Sequence, residues 1–146
     1  MKKEYILYSS SLVLVLISVL NYLGGQFYWY WTYRWFDIPV HMLGGAWIGL
    51  TTLWLWAHFM HLKVIKTFRM KALGVVVFAI FFVGISWEVF ELLGGITDMT
   101  DRGYWPDTIG DIINDSIGGM FAYFLFIKTK KPEKEPAVIS VGNNIN

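Results

Sequence analysis

The chain has 146 residues and a formal net charge of +1; it is 55% hydrophobic and 18% aromatic but only 16% charged, against about 25% charged for a soluble domain. That much apolar surface on so short a chain needs a bilayer. The lack of Cys excludes disulfides, thiol catalysis and iron–sulfur clusters, and near-neutral charge without a basic block argues against a nucleic-acid partner.

Four apolar stretches follow in order, at residues 5–23, 38–60, 72–96 and 106–127. A helix needs about 20 residues to cross a bilayer core. The first two meet that length without buried acids. Lys2 and Lys3 precede the first, which is too long for a signal-peptide core and lacks a small-residue cleavage site, so it reads as a retained helix. The third and fourth reach spanning length only with Glu88 and Glu91, or Asp107, Asp111 and Asp115, at membrane depth. The expected fold is therefore all-α, a polytopic four-transmembrane-helix bundle formed by residues 1–127. The Lys-, Glu- and Pro-rich remainder, 128–146, reads as a disordered cytoplasmic tail.

Basic residues set the orientation. With four spans, one side receives Lys2, Lys3, Lys63, Lys66, Arg69, Lys71, Lys128, Lys130, Lys131 and Lys134, and the other only Arg34 and Arg102. By the positive-inside rule both termini are cytoplasmic, and the protein is a multi-pass protein of the cytoplasmic membrane. The first outward loop, residues 24–36, is packed with Tyr and Trp and reads as an interfacial aromatic belt containing a short helix in the headgroup plane, or as a platform for a lipid. His58 and His61 fall at the cytoplasmic end and read as interfacial.

The acids distribute the other way. Asp37, Glu88, Glu91, Asp98, Asp101, Asp107, Asp111 and Asp115 all fall in the outer loops or outer helix halves. Asp107, Asp111 and Asp115 recur every four residues and so line one helix face, with Asn114 on the same stripe. Glu88 and Glu91 share a face, as do Asp37 and His41. Eight carboxylates against two guanidiniums leave roughly −6, and like charges in low dielectric cannot all ionise. A divalent cation resolves the imbalance most simply. Asp37 and Asp107, beside Pro39 and Pro106 in first turns, are also explained by helix capping and the dipole. Glu88 and Glu91 at a helix C-terminus, and Asp111 and Asp115 beyond a first turn, are not. The candidate metal ligands are thus His41, Glu88, Glu91, Asp107, Asp111 and Asp115, with His41, Glu88 and Glu91 available as catalytic groups. Carboxylates with one imidazole favour Mg²⁺, Mn²⁺ or Ca²⁺ over Zn²⁺. Asn21, His41, Glu91 and Asp115 are each followed, three and four residues on, by a glycine pair, which reads as close helix packing.

These motifs resemble known ones. Asp37-Ile-Pro-Val-His41, Trp87-Glu88-x-x-Glu91 and Asp107-Thr108-x-x-Asp111-x-x-x-Asp115-x-x-Gly118 are similar to the VanZ-like membrane proteins and to the YjdF-like bacterial family, over roughly residues 37–124. His41, Glu88, Asp111 and Gly118 match the VanZ pattern; Glu91 stands where that pattern has Gln, and Asp115 where it has Asn. The Asp-Thr-x-x-Asp stretch is closer to the YjdF-like group. The resemblance implies a small bacterial envelope protein and, because the VanZ mechanism in glycopeptide resistance is unsettled, supplies no reaction. Three functions stay open: a metal-dependent enzyme acting on a lipid or lipid-linked envelope substrate, an ion- or solute-binding transporter working as a homo-oligomer, and a structural accessory protein of the envelope.

Overall fold

The computed structural model describes residues 3–59 and 66–129, and the described chain is helical, without strands. Four long helices and one short one follow in order: α1 (Lys3–Gln26), α2 (Trp29–Thr32), α3 (Asp37–Phe59), α4 (Lys66–Gly94) and α5 (Tyr104–Thr129). His61, Lys63, Lys2 and the tail from residue 130 onward lie outside the described residues.

Three helices, α1, α3 and α4, are long and apolar enough to cross a membrane. The fourth long helix, α5, has 26 residues, about 39 Å at 1.5 Å per residue. Length is therefore not its obstacle; Asp107, Asp111 and Asp115 along it are. The helix α4 starts six residues earlier than the apolar run predicts, because Lys66 to Lys71 continue the helix as a polar first turn and a half. It stops where Gly95 turns to φ 66°. There the Ile96 amide donates to the Glu91 carbonyl and the Gly95 amide to that of Leu92, the glycine-dependent Schellman closure of a helix C-terminus.

The helix α3 is the hub, packed against α1, α4 and, most extensively, α5. Its seam with α5 is made by glycines. A Cβ on Gly45 would overlap the Asp115 backbone, and one on Gly118 would overlap the Met42 carbonyl; Gly49 faces Gly119 and Ala122. Since partners advance together along both helices, α3 and α5 run parallel and in near backbone contact, as small residues permit in membranes. Two of the four glycine pairs in the sequence thus serve helix approach, whereas Gly94-Gly95 ends a helix.

Large apolar side chains collect at the other end. Ile6, Leu53, Val76, Ile80 and Phe126 are fully buried there. The same end carries Arg69, Lys71 and Lys128, and the Tyr123 hydroxyl donates to the Arg69 carbonyl at 3.2 Å, tying α5 to the start of α4. Ser10 and Thr51 share a 2.7 Å hydrogen bond that joins α1 to α3. His58 is exposed and stacks on Trp54. The outward faces of α1 and α4 are almost wholly apolar and exposed, from Tyr8 and Leu12 to Phe78 and Phe82. In water such a surface would aggregate, whereas in a bilayer it meets lipid.

Candidate functional site

The glycine seam decides what meets at the other end of the bundle. Asp37 and His41 occupy successive turns on α3, and Asp111 and Asp115 occupy successive turns on α5. With the two backbones nearly touching, these four side chains converge. His41 Nε2 lies 3.6 Å from Asp37 Oδ1 and 3.6 Å from Asp111 Oδ1, and His41 Nδ1 lies 3.4 Å from Asp115 Oδ1. Each imidazole nitrogen thus faces its own carboxylate partner or pair. One ligand atom from each of Asp37, His41 and Asp111 can be chosen so that all three lie within 4.8 Å of one another.

Burial grades the cluster. The side chains of His41, Asp111 and Asp115 are 11%, 11% and 9% exposed, while Asp37 is 32% exposed. Asp37 is the member open to the outside and Asp115 the deepest. The Asp115 carboxylate sits between α3 and α4, with its oxygens 3.4 Å from where Cβ atoms of Gly44 and Gly84 would stand. The two glycines flank this side chain from α3 and α4.

Glu88 and Glu91 lie outside the triad. Glu88 is buried on α4 and accepts a 2.6 Å hydrogen bond from the Thr108 hydroxyl of α5, one turn before Asp111. Glu91 accepts from Trp87 Nε1 of its own helix at 2.9 Å. Asp107 is exposed and lines a shallow cleft of about 260 Å³ with Arg34, Asp98, Asp101 and Tyr104. In that cleft the Asp98 carboxylate accepts from both the amide and the hydroxyl of Thr100, each at 2.8 Å. The backbone bond and then the hydroxyl bond hold its carboxyl below the ordinary range. The outer-half groups in the sequence thus divide three ways: a buried seam cluster, two carboxylates engaged on α4, and a solvated mouth.

Two members were not legible as such. Asp37 has a sufficient explanation as a first-turn acid, which hides its approach to Asp111. Tyr30 hides among seven neighbouring aromatics in residues 27–36. In the structure Tyr30 is half-buried and its hydroxyl donates to Asn21 Oδ1 at 2.6 Å. Burial first, and then the charges of Asp37 and Glu91, push its phenol up to about 12, so Tyr30 stands as a neutral donor at the edge of the carboxylates. No sequence pattern marks it.

A family profile described as "Predicted membrane protein (DUF2238)" matches residues 3–132. Comparison with curated proteins and with solved structures gives no match. The profile takes in all four long helices and every residue of the seam cluster, and it is the profile of the YjdF-like group. The chain belongs to the DUF2238 family of predicted membrane proteins.

Proposed function

We propose that this is a four-span membrane protein, with both termini cytoplasmic, that binds one divalent cation in the outer half of the bundle through Asp37, His41 Nε2 and Asp111. The observation that carries the reading is the two-sided engagement of His41. Metal-bound histidines characteristically give their second ring N–H to a carboxylate, which fixes the tautomer and aims the ring. Asp115 at Nδ1, with Asp37 and Asp111 at Nε2, has that form. The spacing agrees. Metal–ligand bonds of about 2.1 Å put adjacent ligand atoms of one ion roughly 3.0–3.4 Å apart, so His41 Nε2 stands a few tenths of an ångström beyond that spacing from each carboxylate, with all three ligand atoms within 4.8 Å of one another. Two carboxylates and one imidazole suit Mg²⁺, Mn²⁺ or Ca²⁺ better than Zn²⁺.

A cation there would polarise a phosphoryl or carbonyl oxygen and acidify a bound water. The residues around it fit an outward-facing reaction on a lipid or lipid-linked envelope substrate. Asp37 keeps the site open on the side of the aromatic belt, and Glu88 and Glu91 supply carboxylates on α4 beside it. A purely structural role for the cluster is less well supported, because the glycine seam and the apolar residues at the opposite end already hold the helices together. The likeness to VanZ-like proteins rests on the short motifs and adds no chemistry.

The test is a Mn²⁺ titration of the full-length protein in detergent, followed by electron paramagnetic resonance. One site per chain is expected, reversed by chelator. Asp111→Asn removes it with helix content unchanged. Asp115→Asn weakens it by about 10- to 100-fold, the usual effect of losing an outer-shell carboxylate. Native protein that binds neither Mn²⁺ nor Ca²⁺ refutes the reading.

A further inference from the structure

Asp37 is the weak point of the cluster. It is its most exposed member and the first residue of α3, where helices fray. A ligand in that place needs something outside the helix to hold it.

The structure supplies such a holder. Phe36, the residue before Asp37, is only 6% exposed although it sits in a loop among exposed aromatics. Its ring meets Tyr30 edge-on at 5.0 Å and Trp29 at 5.3 Å. The floor beneath these rings is Gly24 of α1. A Cβ there would come within 2.7 Å of Phe36 and 2.8 Å of Tyr30, whereas one on the adjacent Gly25 would meet nothing within 4 Å. The Phe36 amide donates to the Tyr33 carbonyl at 2.8 Å, which closes the turn leading into α3. The Tyr30 hydroxyl, bonded to Asn21, fastens the arrangement back onto α1. Residue 36 is thus held by α1, by α2 and by the Tyr33–Trp35 turn that joins α2 to α3.

We propose that Gly24, Tyr30 and Phe36 form a seat that positions Asp37 as the outer ligand, with the Asn21–Tyr30 hydrogen bond as its latch. Tyr30 is a positioning residue in this scheme, acting through Phe36 on the Asp37 backbone. Edge-on aromatic pairs add to the stabilisation that burial gives, and two such contacts on Phe36 oppose fraying of the first turn of α3. The seat also accounts for Gly24 in α1, a helix that gives no residue to the cluster, since this glycine makes room for the rings, while Gly25 beside it faces open space.

The inference rests on the cation reading but is separable from it. Full-length native protein, Gly24→Ala, Gly25→Ala and Tyr30→Phe are compared by Mn²⁺ titration and, without metal, by the ring resonances of ¹⁵N-labelled His41, which Asp37 faces. Gly24→Ala and Tyr30→Phe are expected to weaken Mn²⁺ binding roughly tenfold or more, in line with losses of outer-shell support. Both are expected to move the His41 resonances, with the signals of Ser10 and Thr51 at the other end unchanged. Gly25→Ala is expected to behave as native. If Gly24→Ala does not fold, Tyr30→Phe, which keeps the ring and removes only the latch, decides. Folded Gly24→Ala or Tyr30→Phe with native His41 resonances overturns the seat. If native protein takes up no Mn²⁺, the cation reading falls, and the metal-free His41 resonances still decide the seat.

Discussion

Gly118→Ala puts the close approach of α3 and α5 under direct strain. Its new Cβ would overlap the Met42 carbonyl and come within 2.9 Å of the Ala46 amide nitrogen. Both are backbone atoms and cannot rotate away. Ordinary contacts lie at about 3.5 Å or beyond, so the helices must part by roughly 1.5 Å. Overpacking of this kind costs about 1–3 kcal/mol. The same movement lengthens every link across the seam, taking His41–Asp111 from 3.6 Å beyond the ligand spacing of one ion and His41–Asp115 from 3.4 Å beyond hydrogen-bond reach. Gly110→Ala on the same helix is the matched control: a Cβ there meets nothing within 4 Å, and the change from Gly to Ala in a helix favours folding by up to about 1 kcal/mol. Thermal unfolding in detergent, read by circular dichroism, should show a lower midpoint for Gly118→Ala and an equal or higher one for Gly110→Ala. Mn²⁺ affinity should fall only in the first. A Gly118→Ala protein as stable as native would show that α3 and α5 are not in backbone contact, and the convergence of the cluster would lose its cause.

Two further outcomes follow from the polar contacts. Glu88→Gln retains an oxygen to accept from Thr108 and should unfold near the native temperature. Glu88→Ala leaves a half-buried hydroxyl without its acceptor and should cost about 1–3 kcal/mol; equal midpoints for the two variants would contradict the bond. The turn at Asp98 should depend on acid. Its carboxyl is held below the ordinary range by Thr100, so the turn is fully stabilised above the unfolded value near about pH 4. That stabilisation is lost as pH falls through the lower folded value. Amide exchange at Thr100 should accelerate over that acid interval and be insensitive to acid in Asp98→Asn.

The helices and their order were legible because apolar length is a coarse signal that survives without tertiary knowledge. So were the stripe of Asp107, Asp111 and Asp115 and the pairing of Asp37 with His41, which need only the helical repeat. What the sequence could not express is which faces meet. Equal spacing put Asp107 and Asp115 on one stripe, yet Asp107 stands in an open cleft and Asp115 is buried, since only the inner part of the stripe lies along the glycine seam. Glu88 and Glu91 carry the same charge at similar depth and look equivalent in the sequence. A hydroxyl of α5 engages one and an indole of α4 the other, and neither partner follows from periodicity. The glycine pairs repeated one pattern for different reasons, and only the backbone geometry at Gly95 and the α3–α5 crossing separates them.

The concentration of large apolar side chains at the lysine-rich end has an evolutionary consequence. On the proposed cation reading, the large apolar residues and the ligands occupy different ends of one bundle, so substitutions among those carboxylates that spare the glycine seam can retune what is bound without first passing through an unfolded intermediate. Drift in ligand preference among relatives should therefore be tolerated where a single shared interior would have forbidden it.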